Sequence, residues 1–211
     1  LGNTATIDDK VYTSLLIHQG DMIAQCFAGN ENGLYISDDD GQNWVIANGA
    51  ATGNCTEVKA EADGTIMALI NKKIYISSND GDAFTLSSSG LPNVGNIGRG
   101  SIAIAPGNTN VMYAIFARYQ VNDCYGAYRS TNKGVSWQSI GMGNPYFNPF
   151  GDQGWYDICL TVAPDNPDHL YIGGIGIWEW SGPGNNFIET VNPYNVRSGA
   201  PYVHPDIHTI T

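Results

Sequence analysis

Asp157 and Asp206 are the two carboxylates of this sequence best placed to work as a pair. Asp157 closes the run Gly154-Trp155-Tyr156-Asp157, and Asp206 is the centre of His204-Pro205-Asp206-Ile207-His208. Two carboxylates flanking a glycosidic bond act together at about 5–5.5 Å for retention and about 6.5–9.5 Å for inversion. Tyr146, Phe147, Trp155 and Tyr156 would offer ring faces on which sugars stack, while Arg99, His204 and His208 would offer polar partners for hydroxyls. A plainer reading competes with this one: Trp155 and Tyr156 fill space between elements, and Asp157 pairs with Arg99 or caps a backbone group. The alternation His204-x-Asp206-x-His208 would turn three metal-ligand types to one side of a strand. A hydrogen-bonded trio is the more common use of such a pattern, so no metal site is assigned.

These residues depend on a scaffold that the sequence announces by repetition. The skeleton Ser-x-Asp/Asn-x-Gly-x-x-Trp/Phe occurs three times, at Ser37, Asp39, Gly41, Trp44, at Ser77, Asn79, Gly81, Phe84, and at Ser130, Asn132, Gly134, Trp137. An eroded copy, one residue short, is Ser181-Gly182-Pro183-Gly184-Asn185-Asn186-Phe187. The glycine supplies the positive φ of a tight turn, and the Ser hydroxyl and Asp or Asn side chain bond nearby backbone N–H groups. The aromatic residue then opens an outer strand and fills the wedge beside it. Asp38-Asp39-Asp40 is therefore expected to hold a turn, because a calcium ion wants about six or more oxygens and the central carboxylate is already used.

Apolar alternation between the turn signals predicts four strands per repeat, the unit of a propeller blade. The first blade has strands near 13–18, 22–28, 33–37 and 44–47, and the second near 56–60, 66–70, 73–77 and 84–87. The third has 99–105, 111–117, 127–130 and 136–140, and the fourth 157–163, 169–173, 176–180 and 187–190. Blade limits are about 11–48, 55–88, 98–140 and 156–190, and residues 204–211 open the inner strand of a fifth. The register has a second anchor, since Ile102-Ala103-Ile104-Ala105-Pro106 matches Leu160-Thr161-Val162-Ala163-Pro164 without a gap. The predicted fold class is an all-β propeller of four-stranded antiparallel blades, one incomplete domain over residues 1–211.

Turns in such a blade alternate between its two ends, so the repeated boxes share one face and the loops entering each inner strand share the other. The unusual residues lie on that second face: the aromatic loop 141–155, its counterpart 191–203, Arg99 and Asp157 at equivalent positions, and the histidine-rich segment after them. Both loops are long for connections in which about 4–6 residues usually suffice.

Composition narrows the partners. A net charge of -11 at pH 7 opposes phosphate-backbone binding, so nucleic acid is not expected. No apolar run approaches the roughly 20 residues that span a bilayer, and no motif calls for a cofactor. Four cysteines, Cys26, Cys55, Cys124 and Cys159, lack the close spacing of a zinc site. In a secreted protein Cys26 with Cys55 and Cys124 with Cys159 would each tie one repeat to the next. The alternative is buried free thiols.

The three boxes and their preceding Tyr-x-Ser strand ends resemble the Asp-box (BNR-repeat) β-propellers, a group that includes sialidases, xyloglucanase-type glycoside hydrolases and sortilin-type receptors. The resemblance covers nearly the whole chain. Gly154-Trp155-Tyr156-Asp157, Tyr171-Ile172-Gly173-Gly174 and His204-Pro205-Asp206-Ile207-His208 are similar to segments of large secreted bacterial BNR proteins labelled glycosyl-hydrolase-like, many of them surface proteins or type IX secretion cargo of Bacteroidetes. It implies a secreted or cell-surface module for binding or adhesion, with a glycan or protein ligand on the face opposite the boxes. The second implication is a xyloglucanase-like hydrolase using Asp157 and Asp206. A sialidase fits poorly, because the Arg-Ile-Pro motif is absent. Such propellers close with six or more blades, so further blades or domains of a longer chain are expected partners.

Overall fold

The computed structural model describes residues 15–18, 21–25, 33–39, 41–143, 145–194 and 204–210. Among them sixteen strands form four sheets, each of four consecutive strands joined antiparallel in sequence order. The first sheet is β1 (Leu15–His18), β2 (Asp21–Gln25), β3 (Leu34–Ser37) and β4 (Val45–Ile46). The second is β5 (Cys55–Ala60), β6 (Ile66–Ile70), β7 (Lys73–Ser77) and β8 (Thr85–Ser87). The third is β9 (Ile97–Ile104), β10 (Met112–Arg118), β11 (Cys124–Ser130) and β12 (Gln138–Met142). The fourth is β13 (Cys159–Val162), β14 (Leu170–Gly173), β15 (Ile177–Trp180) and β16 (Ile188–Val191). This is the blade topology of a β-propeller, the fold class expected from the repeat.

Local sequence explains the connections. The β6–β7 hairpin turns on Asn71 and Lys72, with φ of 49° and 66°, which is the pair of left-handed residues a two-residue hairpin requires. All three full boxes fold alike. The Ser77 hydroxyl donates to Asn79 Oδ1 at 2.8 Å and accepts the Gly81 N–H at 3.0 Å. The Ser130 hydroxyl does the same with Asn132 at 2.9 Å and Gly134 at 2.9 Å. In the first box Ser37 accepts the Gly41 N–H at 2.9 Å, and Asp39 Oδ1 accepts the Asn43 N–H at 2.7 Å. In the eroded copy Asn185 Nδ2 donates to the Ser181 carbonyl at 3.0 Å and Trp180 Nε1 to the Asn185 carbonyl at 3.1 Å.

Contacts divide the chain into two compact units, with the boundary between Ser88 and Ser89. The first unit holds β1–β8 around Leu34, Val58, Ile66, Ala68, Ile70, Tyr75 and Phe84. The second holds β9–β16 around Tyr113, Ile115, Phe147, Phe150, Leu160, Ile172 and Trp180. Within the second unit the inner strands β9 and β13 lie side by side. Across β9, β10 and β11 the register sets Ile97 opposite Arg118, and Ile104 opposite Met112, which in turn faces Ser130. Arg99 therefore lies toward the end of its sheet away from the box at Ser130.

Two expectations change. Residues 204–210 form no strand; they are tied by the Ile207 N–H to the Gly174 carbonyl at 2.8 Å, and Asp206 has a φ of 74°, which strand pairing does not accommodate. Cys55, Cys124 and Cys159 are buried and joined in no disulfide, so the expected Cys124–Cys159 bridge is not formed; Cys26 lies outside the described residues. The two thiols belong to different strands of different sheets, β11 and β13, and each is enclosed by its own surroundings.

Candidate functional site

The second unit gathers Arg99, Trp155, Tyr156, Asp157, Asp206 and His208 at one place. Arg99 projects from β9, and its Nη1 donates to the carbonyls of Trp155, at 3.0 Å, and of Tyr156. The loop that carries those carbonyls is fastened at several points. Asn148 Nδ2 donates to the Gly151 carbonyl at 2.7 Å, and its Oδ1 accepts the Cys124 N–H at 3.0 Å. The Gly154 N–H donates to the Asn122 carbonyl at 2.8 Å, and a Cβ at Gly154 would stand 2.6 Å from both that oxygen and Ala117 Cβ. Only glycine permits that approach. The Gln153 carbonyl then accepts the N–H groups of Tyr156, at 2.7 Å, and Asp157, at 3.1 Å, which sets the direction of the two side chains.

The outcome is a pair of exposed rings over a sealed carboxyl. Trp155 is 61% exposed and Tyr156 45%, whereas Asp157 is 0% exposed. The Trp155 and Tyr156 ring centroids are 5.4 Å apart, and Tyr156 meets the His208 ring edge-on at 4.6 Å. Among the described residues no other residue donates a hydrogen bond to either carboxylate oxygen of Asp157. Burial, the largest cause, pushes the Asp157 carboxyl up to about 6; its own backbone N–H opposes this, the Asp206 charge adds to it, and His208 and Arg99 oppose it. Asp157 makes no hydrogen bond to Arg99, whose Nη1 donates to two backbone carbonyls instead, so Arg99 acts on Asp157 through space. A carboxyl that titrates near neutral pH beside a second carboxylate is suited to moving a proton or to receiving a donor-rich ligand.

Other nominated residues are elsewhere. Phe147 is 4% exposed and stacks on Phe187 with centroids 4.2 Å apart, so it is a core residue rather than a ligand platform. Tyr146 is exposed and lines a groove of about 560 Å³ with Met142, Phe147, Asn186 and Phe187. His204 is exposed, with Nδ1 2.6 Å from the Pro205 carbonyl oxygen, and is not among the charged groups that act on Asp157. Among the described residues no three His, Cys, Asp or Glu side chains converge as metal ligands, so the 204–208 trio does not gather as an ion site. Asp39 is held below the usual carboxylate range, first by the Asn43 side-chain amide and then by the Asn43 N–H, which is the turn-holding role expected of it. Asp40 lies outside the described residues.

Sequence reasoning missed Asn122, Asn148 and Gln153, whose carbonyls and side chain hold the loop. The Asn-Pro dipeptide at Asn148-Pro149 was the available signal, because Asn before Pro initiates turns.

No protein-family model matches the chain, and no curated protein sequence matches it either. Its structure is similar to solved ones. An ancestral GH74 enzyme matches with a TM-score of 0.60 and 18% identity, over 86% of this chain and 24% of that one. The GH74 xyloglucanase from Xanthomonas campestris matches with a TM-score of 0.61 and 17% identity, over 79% of this chain and 27% of that one. YCF48 bound to D1 peptide matches with a TM-score of 0.53 and 14% identity, over 89% of this chain and 54% of that one. The chain thus spans about a quarter of the two GH74 proteins and about half of YCF48. At these identities the likeness is one of fold: what this chain shares with them is the β-propeller architecture of four-stranded antiparallel blades.

Proposed function

We propose that this chain is part of an Asp-box β-propeller of a secreted or cell-surface protein, and that it binds a glycan at the rim formed by Arg99, Trp155, Tyr156, Asp157, Asp206 and His208. The single observation behind this reading is the exposed Trp155–Tyr156 pair held rigidly by Arg99 beside a buried, unpartnered carboxyl. Aromatic faces beside convergent polar groups are what sugar rings and hydroxyls require. The three box turns support the Asp-box assignment, and that assignment carries the extracellular reading, including cargo of a bacterial secretion system. A protein ligand remains the other partner class for the same rim. Among the described residues no helix is long and apolar enough to cross a membrane.

Binding to an immobilised panel of plant and bacterial polysaccharides tests the proposal. Retention on at least one polysaccharide, lost in Trp155→Ala, is the expected result; no retention, or retention indifferent to Trp155, would sink it.

A second reading, hydrolysis of a polysaccharide by Asp157 and Asp206, is favoured by one specific observation. The Asp157 carboxyl is raised to about 6, first by burial and further by the charge of Asp206, which suits it to give up a proton near neutral pH. Release of reducing ends from xyloglucan, abolished by Asp157→Ala, would establish it. Two carboxyl groups outside the roughly 5–9.5 Å range in an experimental structure would remove it.

A further inference from the structure

We infer that the glycan recognised at this rim carries protonated amines, as in a glucosamine polymer, with Asp206 receiving the ammonium group and the buried Asp157 responding to its charge. The inference rests on the glycan-binding reading above and specifies its ligand.

The first ground is an unmet demand for donors. Asp157 is fully buried, and among the described residues neither of its oxygens accepts a hydrogen bond from another residue. A buried carboxylate in that condition is costly until donors or a counter-charge reach it. An ammonium at Asp206 would supply a counter-charge acting on it through space, whereas a neutral hydroxyl brings none.

The second ground is charge. The charged groups acting on Asp157 are Asp206 and His208 from residues 204–210 and Arg99 from β9. Asp157 and Asp206 stand beside one guanidinium and the His208 imidazole, and that guanidinium already donates to the carbonyls of Trp155 and Tyr156. The whole chain adds to the preference, with a net charge of -11 at pH 7. A ligand bearing carboxylates or sulfates would meet repulsion, and a cationic one attraction.

The third ground is the wall. Trp155 and Tyr156 expose their rings beside the carboxylates, and aromatic faces attract cations as well as sugar faces. Asp206 is half-buried and open to a ligand, whereas Asp157 is sealed. An ammonium held by Asp206 would act on Asp157 through the path that now couples the two carboxylates. Binding should therefore draw a proton off Asp157 near pH 6, where its carboxyl titrates.

Calorimetric titration of the protein at pH 6.5 with glucosamine hexamer, N-acetylglucosamine hexamer and cellohexaose tests this. The glucosamine hexamer should bind at least about tenfold more tightly than either neutral oligomer. Asp206→Asn should shrink that preference to within roughly threefold, and Trp155→Ala should weaken all three ligands. Titrations near pH 6 in two buffers of different ionisation enthalpy should reveal proton release that Asp157→Asn abolishes. Equal binding of the three oligomers, or a preference untouched by Asp206→Asn, would overturn the amine inference and leave the glycan reading standing. No binding of any oligomer, together with failure on the polysaccharide panel, would overturn both.

Discussion

Gly90 sits directly against the backbone of Trp137: a Cβ at Gly90 would stand 2.0 Å from the Trp137 carbonyl oxygen, while the Trp137 N–H donates to the Ser89 carbonyl at 2.8 Å. Gly49 and Phe84 repeat the arrangement in the first unit, with 2.2 Å from the would-be Cβ to the Phe84 oxygen and a 2.8 Å bond from the Phe84 N–H to Asn48. The box aromatic is thus held twice, by its side chain in the core and by its backbone on a glycine that follows the preceding outer strand. Within the first unit the repeat thus ties the segment that follows one sheet to the next sheet, as well as closing its own turn.

Gly90→Ala should destabilise the protein strongly. The φ of 85° costs an alanine about 1–2 kcal/mol, and the clash with backbone adds to it. Gly107→Ala is the matched control, since Gly107 has a φ of 69° and nothing within 4 Å of its would-be Cβ. Thermal melts should show Gly90→Ala losing at least roughly twice the stability lost by Gly107→Ala. Equal losses would mean that only the backbone angle matters.

The box polar pair makes a second prediction. Removing the Ser130 hydroxyl takes an acceptor from the Gly134 N–H, a bond of 2.9 Å in a buried turn. Ser130→Ala should cost about 1–3 kcal/mol, the usual penalty for stranding a buried donor. Trp137→Ala should cost more, about 3–5 kcal/mol, because a buried ring is lost with its cavity left behind. Denaturant titration reads both; a Ser130→Ala variant as stable as the parent would show that water replaces the hydroxyl without loss.

How legible was all this in the sequence? The boxes were, because Ser77, Asn79 and Gly81 act on one another within a few residues, so spacing alone encodes the contact. The grouping of Arg99 with Asp157 followed from register, which a gapless internal match fixes. Phe147 was misread because a loop aromatic looks the same whether it faces solvent or Phe187, a residue forty positions later. Residues 204–208 alternate like a strand, but pairing depends on a neighbour, and the Asp206 backbone took a left-handed turn instead. Contacts made across sheets are long-range, and local pattern does not record them.

The thiols give a chemical test of the redox reading. Burial pushes the Cys55 thiol up to about 12 and the Cys124 thiol higher still, so neither is a reactive thiolate near neutral pH. Under native conditions at pH 8, Cys55, Cys124 and Cys159 should resist a disulfide-exchange reagent, and in denaturant all three should react without prior reduction. A Cys124–Cys159 peptide found by mass spectrometry of the unreduced protein would contradict the structure.

Asp157 makes stability depend on pH in a definite direction. Its folded-state carboxyl titrates at about 6 against an ordinary value of 3.8, so the folded state binds the proton more tightly than the unfolded chain does. The stabilisation from this protonated buried group is fully present below about pH 3.8 and is lost as pH rises through about 6. Two pH units correspond to at most ~3 kcal/mol, and relaxation of residues 204–210 would reduce it. Asp157→Asn keeps the shape of the protonated acid and removes the titration. The variant should therefore melt above the parent at pH 7.5 and close to it at pH 4, so that the difference between the two melting curves, followed across that range, reports the Asp157 proton alone. Parallel curves would mean that Asp157 is solvated in solution, and the unpartnered carboxyl on which the ligand reading depends would fall with it.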